Sequence, residues 1–231
     1  IYPCFIYLYT QQQTRELRTM LVKEAKEYGK VSTRNTKMGT TTMAFDAFAC
    51  ITGSKLANNP NTPCHSCYAR KLQKLRPSVD KGWKNNSDKW ATSNPDIWEQ
   101  AIAMQIIRYN TDGFHRWFDS GDLASVQMLQ SIVNVCNMTP NIKHWLPTQE
   151  RKFVKEFEAN GGIVPDNLVI RVSASKLNGN MPSGIDNGSQ VFTKGNEPKG
   201  FECKARHNNN ACGSCKACWT KEVKFVSYPK H

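Results

Sequence analysis

Seven of the nine cysteines fall into two clusters, and clustered thiols are the side chains of this sequence with the clearest chemical use. An odd number of cysteines at irregular spacing argues against a disulfide framework. No basic segment precedes the apolar first residues, so we expect no signal peptide. In a reducing compartment, clustered thiols usually bind metal. The sequence therefore predicts metal sites at Cys50, Cys64, Cys67, Cys203, Cys212, Cys215 and Cys218.

The tail cluster consists of Cys203 and the ladder Cys212-x2-Cys215-x2-Cys218. Three thiols at this interval can wrap a cuboidal cluster, as in bacterial ferredoxins. Structural zinc more often uses two separated C-x2-C turns. The spacing favours an iron–sulfur cluster, with zinc as the alternative.

The first cluster consists of Cys50, Cys64 and Cys67. Three thiolates could hold three irons of a [4Fe-4S] cluster and leave the fourth iron open to an exogenous ligand. One alternative is a zinc site completed by His65 or by His231. In another, Cys50 is a buried cysteine unrelated to the C-x2-C pair.

The segment Cys64-x2-Cys67-Tyr-Ala resembles the last two ligands of radical S-adenosylmethionine enzymes, whose usual motif is C-x3-C-x2-C. This chain departs from that motif, because Cys50 lies fourteen residues before Cys64. The run Asp119-Ser120-Gly121-Asp122 resembles the glycine–acidic motif that holds the methionine amino group in those enzymes, with Asp122 in place of the usual Glu. Such enzymes commonly bind the ribose and carboxylate at a later strand end, here occupied by Arg171, Ser173 and Ser175.

This resemblance implies that S-adenosylmethionine is a cofactor. In these enzymes one-electron reduction cleaves S-adenosylmethionine, and the resulting radical abstracts hydrogen from a substrate. An electron donor such as a ferredoxin or flavodoxin is then an expected partner. The four-cysteine tail is similar to the auxiliary-cluster extensions of some members.

Over most of its length the chain resembles the phage gene product 88 family. The shared landmarks are Pro63-Cys-x-x-Cys-Tyr-Ala, Arg116-Trp-Phe-Asp-Ser-Gly-Asp, His144-Trp-x-Pro-Thr, Ile170-Arg-Val-Ser, Cys-x2-Cys-x2-Cys-Trp219 and Tyr228-Pro-x-His231. The resemblance implies a phage origin and a fold rather than a reaction.

Strand and helix patterns alternate in the segment that must position these residues. Apolar runs predict strands over 41–52, 114–118, 142–146, 168–172 and 223–226. Helical spacing predicts helices over 125–136 and 151–159, and Asn94-Pro95 is typical of a helix start. This order implies parallel pairing, with ligands at the carboxyl ends of the strands. We expect an α/β fold, a partial parallel (β/α) barrel like that of radical S-adenosylmethionine enzymes, with a cysteine-rich C-terminal extension.

The expected organisation has three parts: an N-terminal extension over 1–40, an α/β core over 41–176, and a metal-binding extension over 177–231. Met20 is an alternative translation start, in which case residues 1–19, including Cys4, would not be translated.

The formal net charge of +12 favours a polyanionic partner, either nucleic acid or a nucleotide. No apolar stretch is long enough to span a membrane, and we expect a protein of the infected host cytoplasm. Two alternatives to an enzyme remain: a zinc-stabilised protein that binds nucleic acid without catalysis, and an electron-transfer protein that does not use S-adenosylmethionine.

Several residues have a simpler interpretation beside the functional one. Asp119 and Asp122 could be turn residues, because carboxylates beside glycine are common in turns. Thr148 could cap the helix that follows it. Arg171, in an apolar strand, must face an anion or solvent, and we expect a bound carboxylate or phosphate. Cys136 is expected in the core. His115, His144, His207 and His231 are expected as ordinary polar residues, with His231 a reserve ligand if the first site binds zinc.

Overall fold

The computed structural model describes residues 20–230, so the expectations about Ile1–Thr19, Cys4 and His231 lie outside it. Within this range, seven parallel strands form one sheet in the order β1-β2-β3-β4-β5-β7-β6. Because β1 and β6 are its two edges, the sheet is open. The strands are β1 (Thr41–Thr42), β2 (Phe114–Arg116), β3 (Lys143–Thr148), β4 (Leu168–Ser173), β5 (Gly188–Phe192), β6 (Phe201–Glu202) and β7 (Phe225–Pro229).

One α-helix follows each of β2 and β3, as the sequence pattern predicts, whereas four α-helices lie between β1 and β2. The helices are α1 (Val22–Ala25), α2 (Ile51–Leu56), α3 (Tyr68–Leu75), α4 (Pro77–Thr92), α5 (Pro95–Tyr109), α6 (Val126–Met138) and α7 (Arg151–Ala159). The start of α5 at Asn94 is confirmed, because the side chain of Asn94 accepts from the backbone N–H groups of Asp96 and Ile97 at 3.0 and 3.3 Å. The core lies between the sheet and helices α5 and α6, where Trp98, Ile102 and Leu129 are fully buried.

The strand expected over 41–52 is wrong beyond Thr42. Asp46 ends the extended backbone, since its carboxylate accepts the N–H of Phe48 at 2.9 Å and turns the chain. Phe45 and Ala47 are nevertheless buried, so the alternating pattern reflects packing against the core and not strand pairing.

The segment beyond residue 177 supplies three of the seven strands. Strand β7 lies between β5 and β6 and pairs in parallel with both. The sequence did not predict β5, because its buried positions include the polar residues Ser189 and Gln190 instead of an apolar run. The cysteine-rich segment therefore lies between two strands of the common sheet, β6 and β7. No helix between residues 20 and 230 is long and apolar enough to cross a membrane.

Candidate metal centre and adjoining cavity

Cys50, Cys64 and Cys67 lie together, although Cys50 is fourteen residues before Cys64 in the sequence. Cys50 immediately precedes α2, Cys64 lies in the 3-10 turn Pro63–Ser66, and Cys67 immediately precedes α3. The sulfurs of Cys50 and Cys64 lie 3.8 and 3.7 Å from the point that a Cβ on Gly53 would occupy. All three cysteines line one cavity of about 190 Å³.

This cavity lies where β2, β3 and β4 reach their carboxyl ends, the usual ligand position in an open parallel sheet. The chain after β2 contributes Asp119, Ser120, Gly121 and Asp122, and the end of β4 contributes Ser173. The structure therefore brings the first cysteine cluster and the Asp-Ser-Gly-Asp run to the same cavity.

Burial shapes the chemistry of these thiols. Burial and the nearby charges of Cys67 and Asp122 raise the pKa of Cys64 to about 11. Burial also raises the pKa of Cys50, and by more than that of Cys64. Thiols with raised pKa values remain protonated at neutral pH, and metal binding would displace those protons.

No three His, Cys, Asp or Glu side chains among residues 20–230 have an arrangement that could hold a single metal ion. The thiolates of an iron–sulfur cluster bind different irons, so they need not surround one point. The donor set at the cavity, three thiols and no histidine, is suited to iron–sulfur ligation.

The two aspartates have their carboxylates engaged within the protein. Asp119 pairs with Arg116 at 3.1 Å and accepts from Asn35 Nδ2 at 2.8 Å. Asp122 accepts from the hydroxyl of Thr148 at 2.5 Å and from the backbone N–H of Gln149 at 2.8 Å. Burial raises the pKa of Asp122 to about 7, against hydrogen bonds that favour its charged form. Asp122 thus joins the loops that follow β2 and β3.

Gly121 and Ser120 have distinct places in this loop. Gly121 has a φ of +81°, and a Cβ there would lie 2.6 Å from the Cβ of Phe45, so the loop requires glycine. The residue Ser120 is 3% exposed, and its hydroxyl has no hydrogen-bond partner within the described residues.

Glu150 is a supporting residue whose role the sequence did not reveal. Its carboxylate accepts the backbone N–H of Thr52 at 2.6 Å and the Thr52 hydroxyl at 2.8 Å. Thr148 is not the side-chain cap of α7: its hydroxyl donates to Asp122 and accepts from the N–H of Glu150 at 2.9 Å. Nothing in the local sequence marks Glu150, because its partner is distant along the chain.

Arg171 has partners within the chain in place of the anion that the sequence led us to expect. It is fully buried, and its guanidinium donates to the backbone carbonyls of Ala217, Cys218, Thr220 and Val223 at 2.7–2.9 Å. These carbonyl oxygens satisfy the buried cation in place of a ligand. Arg171 does not line the cavity, nor does the exposed Ser175, whereas Ser173 does.

The four tail cysteines lie within electrostatic reach of one another. Burial and the charge of Cys203, with a smaller effect of Cys215, raise the pKa of Cys212. Burial raises the pKa of Cys218 to about 11, to which Cys203 adds, and the Cys218 sulfur lies 3.2 Å from the hydroxyl of Tyr228. The turn that carries Cys218 is the one held by Arg171.

Arg116 lies between the two cysteine groups. It lines the cavity, and its guanidinium lies 4.6 Å from the centre of the Trp145 ring. Burial lowers the pKa of Arg116, but Tyr68, Asp119 and Cys218 raise it, and the net shift is upward. The same cation therefore interacts with the cavity and with the tail cluster.

The remaining candidates have structural surroundings. Cys136 is fully buried in the core, as expected. His115 and His144 are fully buried beside Trp117. The ring of His65 is engaged away from the cavity, with Nδ1 2.9 Å from the carbonyl of Ala57.

Comparison with known proteins identifies a family without identifying a reaction. A search of curated proteins and a search of solved structures each found no match. The family described as Gene product 88 matches residues 30–221, a range that includes both cysteine groups and the cavity. On this match the chain belongs to the gene product 88 family.

Proposed function

We propose that this protein is an iron–sulfur enzyme of the radical S-adenosylmethionine type. The observation that carries the proposal is the convergence of Cys50, Cys64 and Cys67 on one cavity at the carboxyl ends of parallel strands. In this proposal the three thiols hold a [4Fe-4S] cluster, and the open parallel sheet corresponds to a partial (β/α) barrel. A reduced cluster with S-adenosylmethionine bound would supply the radical chemistry.

The residues of the chain have definable tasks in this proposal. Asp119, Ser120 and Ser173 present polar groups to the cavity beside the thiols, where they can orient the amino, carboxylate and ribose groups of the cofactor. Ser120 supports this assignment most directly, because its buried hydroxyl lacks a partner within residues 20–230. Asp122 and Glu150 hold the loops around the thiols.

The tail cysteines would bind a second metal centre. Their mutual proximity and the C-x2-C-x2-C ladder support a second iron–sulfur cluster that is structural or transfers electrons. Zinc is the other metal that four thiolates can hold. Arg171 holds the turn that carries Cys218, because its Nε donates to the Cys218 carbonyl.

The proposal is tested on protein purified without oxygen. We expect brown protein with broad absorbance at about 400 nm, and with iron and acid-labile sulfide in equal amounts. The variant with Cys50, Cys64 and Cys67 all changed to Ala should lose the iron of the first site, while Cys136→Ala should retain it. Colourless protein that contains only zinc would reject the iron assignment.

A second measurement tests the cofactor. Addition of S-adenosylmethionine to the dithionite-reduced protein should change the EPR spectrum of the cluster, because the cofactor would bind the open iron. An iron–sulfur protein whose spectrum does not change would instead be an electron-transfer protein without this cofactor.

A further inference from the structure

Two cations on α3 share one aromatic ring at the edge of the cavity. The guanidinium carbon of Arg70 lies 4.7 Å from the centre of the Phe48 ring, and the ammonium nitrogen of Lys74 lies 5.7 Å from it. Because the two residues are four apart on one helix, they lie on the same helical face. Each cation gains from the ring, but the arrangement also brings two like charges together.

Among residues 20–230, this pair lacks a carboxylate that neutralises it. Within the described residues, neither Arg70 nor Lys74 forms a salt bridge. The sequence contains no acidic residue between Asp46 and Asp80. Asp46 forms no salt bridge with either cation, and its Oδ1 accepts from the N–H of Phe48 and from Gln73 Nε2. Like charges at this spacing are destabilising without an anion between them.

The pair adjoins the proposed reaction site. Arg70 lines the same cavity as the three cysteines, and its Nε is buried without a hydrogen-bond partner in the described part of the chain. Tyr68 lines the cavity as well and is 56% exposed, with its hydroxyl donating to the carbonyl of Asp119 at 2.6 Å. That bond fixes the ring of Tyr68 at the cavity that Arg70 also lines.

We propose that Arg70 and Lys74 bind a phosphate group of the substrate, an assignment that rests on the proposed function for the identity of the reaction site. An arginine stacked on an aromatic ring presents its N–H edge to phosphate oxygens, and a lysine adds a mobile point charge. The exposed ring of Tyr68 offers a face on which a base can stack. The substrate class is therefore a nucleotide or a nucleic acid, which share the phosphate.

The test compares ligands with and without phosphate on the full chain. Thymidine 5′-monophosphate, thymidine and a single-stranded DNA of about 10 nucleotides are titrated by calorimetry or fluorescence. Thymine probes avoid competition with the adenine of S-adenosylmethionine. The variants are Arg70→Gln and Lys74→Gln, and the control is Lys71→Gln, an exposed lysine on the same helix that lacks the contact with Phe48.

We expect the phosphorylated probes to bind more tightly than thymidine, and each of the two variants to weaken that binding by about tenfold. Lys71→Gln should leave the affinity for the monophosphate unchanged. Binding of the monophosphate identifies a nucleotide site, and binding of the DNA alone identifies a nucleic-acid site; both support the inference.

The inference is overturned if phosphate adds no affinity, or if Arg70→Gln and Lys74→Gln behave like Lys71→Gln. Failure of the proposed function would look different. If the protein shows no iron–sulfur spectrum but still binds phosphate through Arg70 and Lys74, the phosphate site stands and the radical chemistry is rejected. If the protein shows the spectrum but its phosphate binding does not depend on these two residues, the radical chemistry stands and the phosphate site is rejected.

Discussion

The carboxylate of Glu150 holds Thr52 through two hydrogen bonds, one from the backbone N–H and one from the hydroxyl. Thr52 is the second residue of α2, and Cys50 is the residue immediately before that helix. Glu150 is 4% exposed and belongs to the loop after β3. The position of Cys50 is therefore set by the sheet and not only by its own loop.

Replacement of Glu150 by Ala should loosen the first cysteine group. The loss leaves the N–H of Thr52 without an acceptor in a partly buried site, so we expect a decrease of about 1–3 kcal/mol in the free energy of unfolding. Iron content of the anaerobically purified variant should decrease with it. Glu156→Ala, which removes an exposed carboxylate of α7, is the control. Equal iron content and stability in the two variants would contradict this role of Glu150.

Gly121 should tolerate no side chain, for a reason separate from its φ. Gly113 has a similar φ of +77° but nothing within 4 Å of the position of its Cβ, so Gly113→Ala measures the backbone cost alone. Gly121→Ala adds a collision with Phe45 and should be less stable than Gly113→Ala by about 1–3 kcal/mol. Chemical denaturation of both variants gives the comparison. Equal losses of stability would mean that the loop can move away from Phe45.

The sequence predicted the parts of this molecule that depend on local patterns. The apolar spacing of α6, the cap at Asn94 and the spacing of the cysteines are each contained in a short segment. Arg171 was misassigned because its partners are carbonyl oxygens, which every residue carries and no sequence pattern marks. Strand β5 was missed because neighbouring strands bury its polar side chains, and Ser189 reaches Ser173 at 3.1 Å only in the folded sheet.

Replacement of Arg171 by Met should damage the tail site selectively. Four carbonyl oxygens would lose their donor at a buried position, and we expect a loss of roughly 3 kcal/mol or more in the free energy of unfolding. The metal of the tail cysteines should be lost before that of the first group. Metal analysis of Arg171→Met, alone and combined with Cys64→Ala, separates the two sites. Full metal content at the tail in Arg171→Met would show that the cysteine turn forms without the arginine.

His144 should make the protein sensitive to mild acid. Trp117 Nε1 donates to His144 Nδ1 at 3.2 Å, so the ring proton lies on Nε2 and points to the hydroxyl of Thr139 at 2.8 Å. That hydroxyl donates in turn to the carbonyl of Val135. A second ring proton would face the N–H of Trp117, and burial already lowers the pKa of His144 to about 3.

A histidine whose folded pKa lies below the unfolded value takes up its proton only when the protein unfolds. The free energy of unfolding is therefore highest above pH 6.5 and decreases as the pH falls toward about 3, by roughly 1.4 kcal/mol per pH unit from this residue. His144→Gln keeps a donor for Thr139 but cannot titrate, so its stability should depend less on pH than that of the natural chain. Urea denaturation from pH 7 to pH 5 measures the difference, with the exposed His207→Gln as control. Parallel pH profiles for His144→Gln and the natural chain would mean that His144 binds a proton in the folded state.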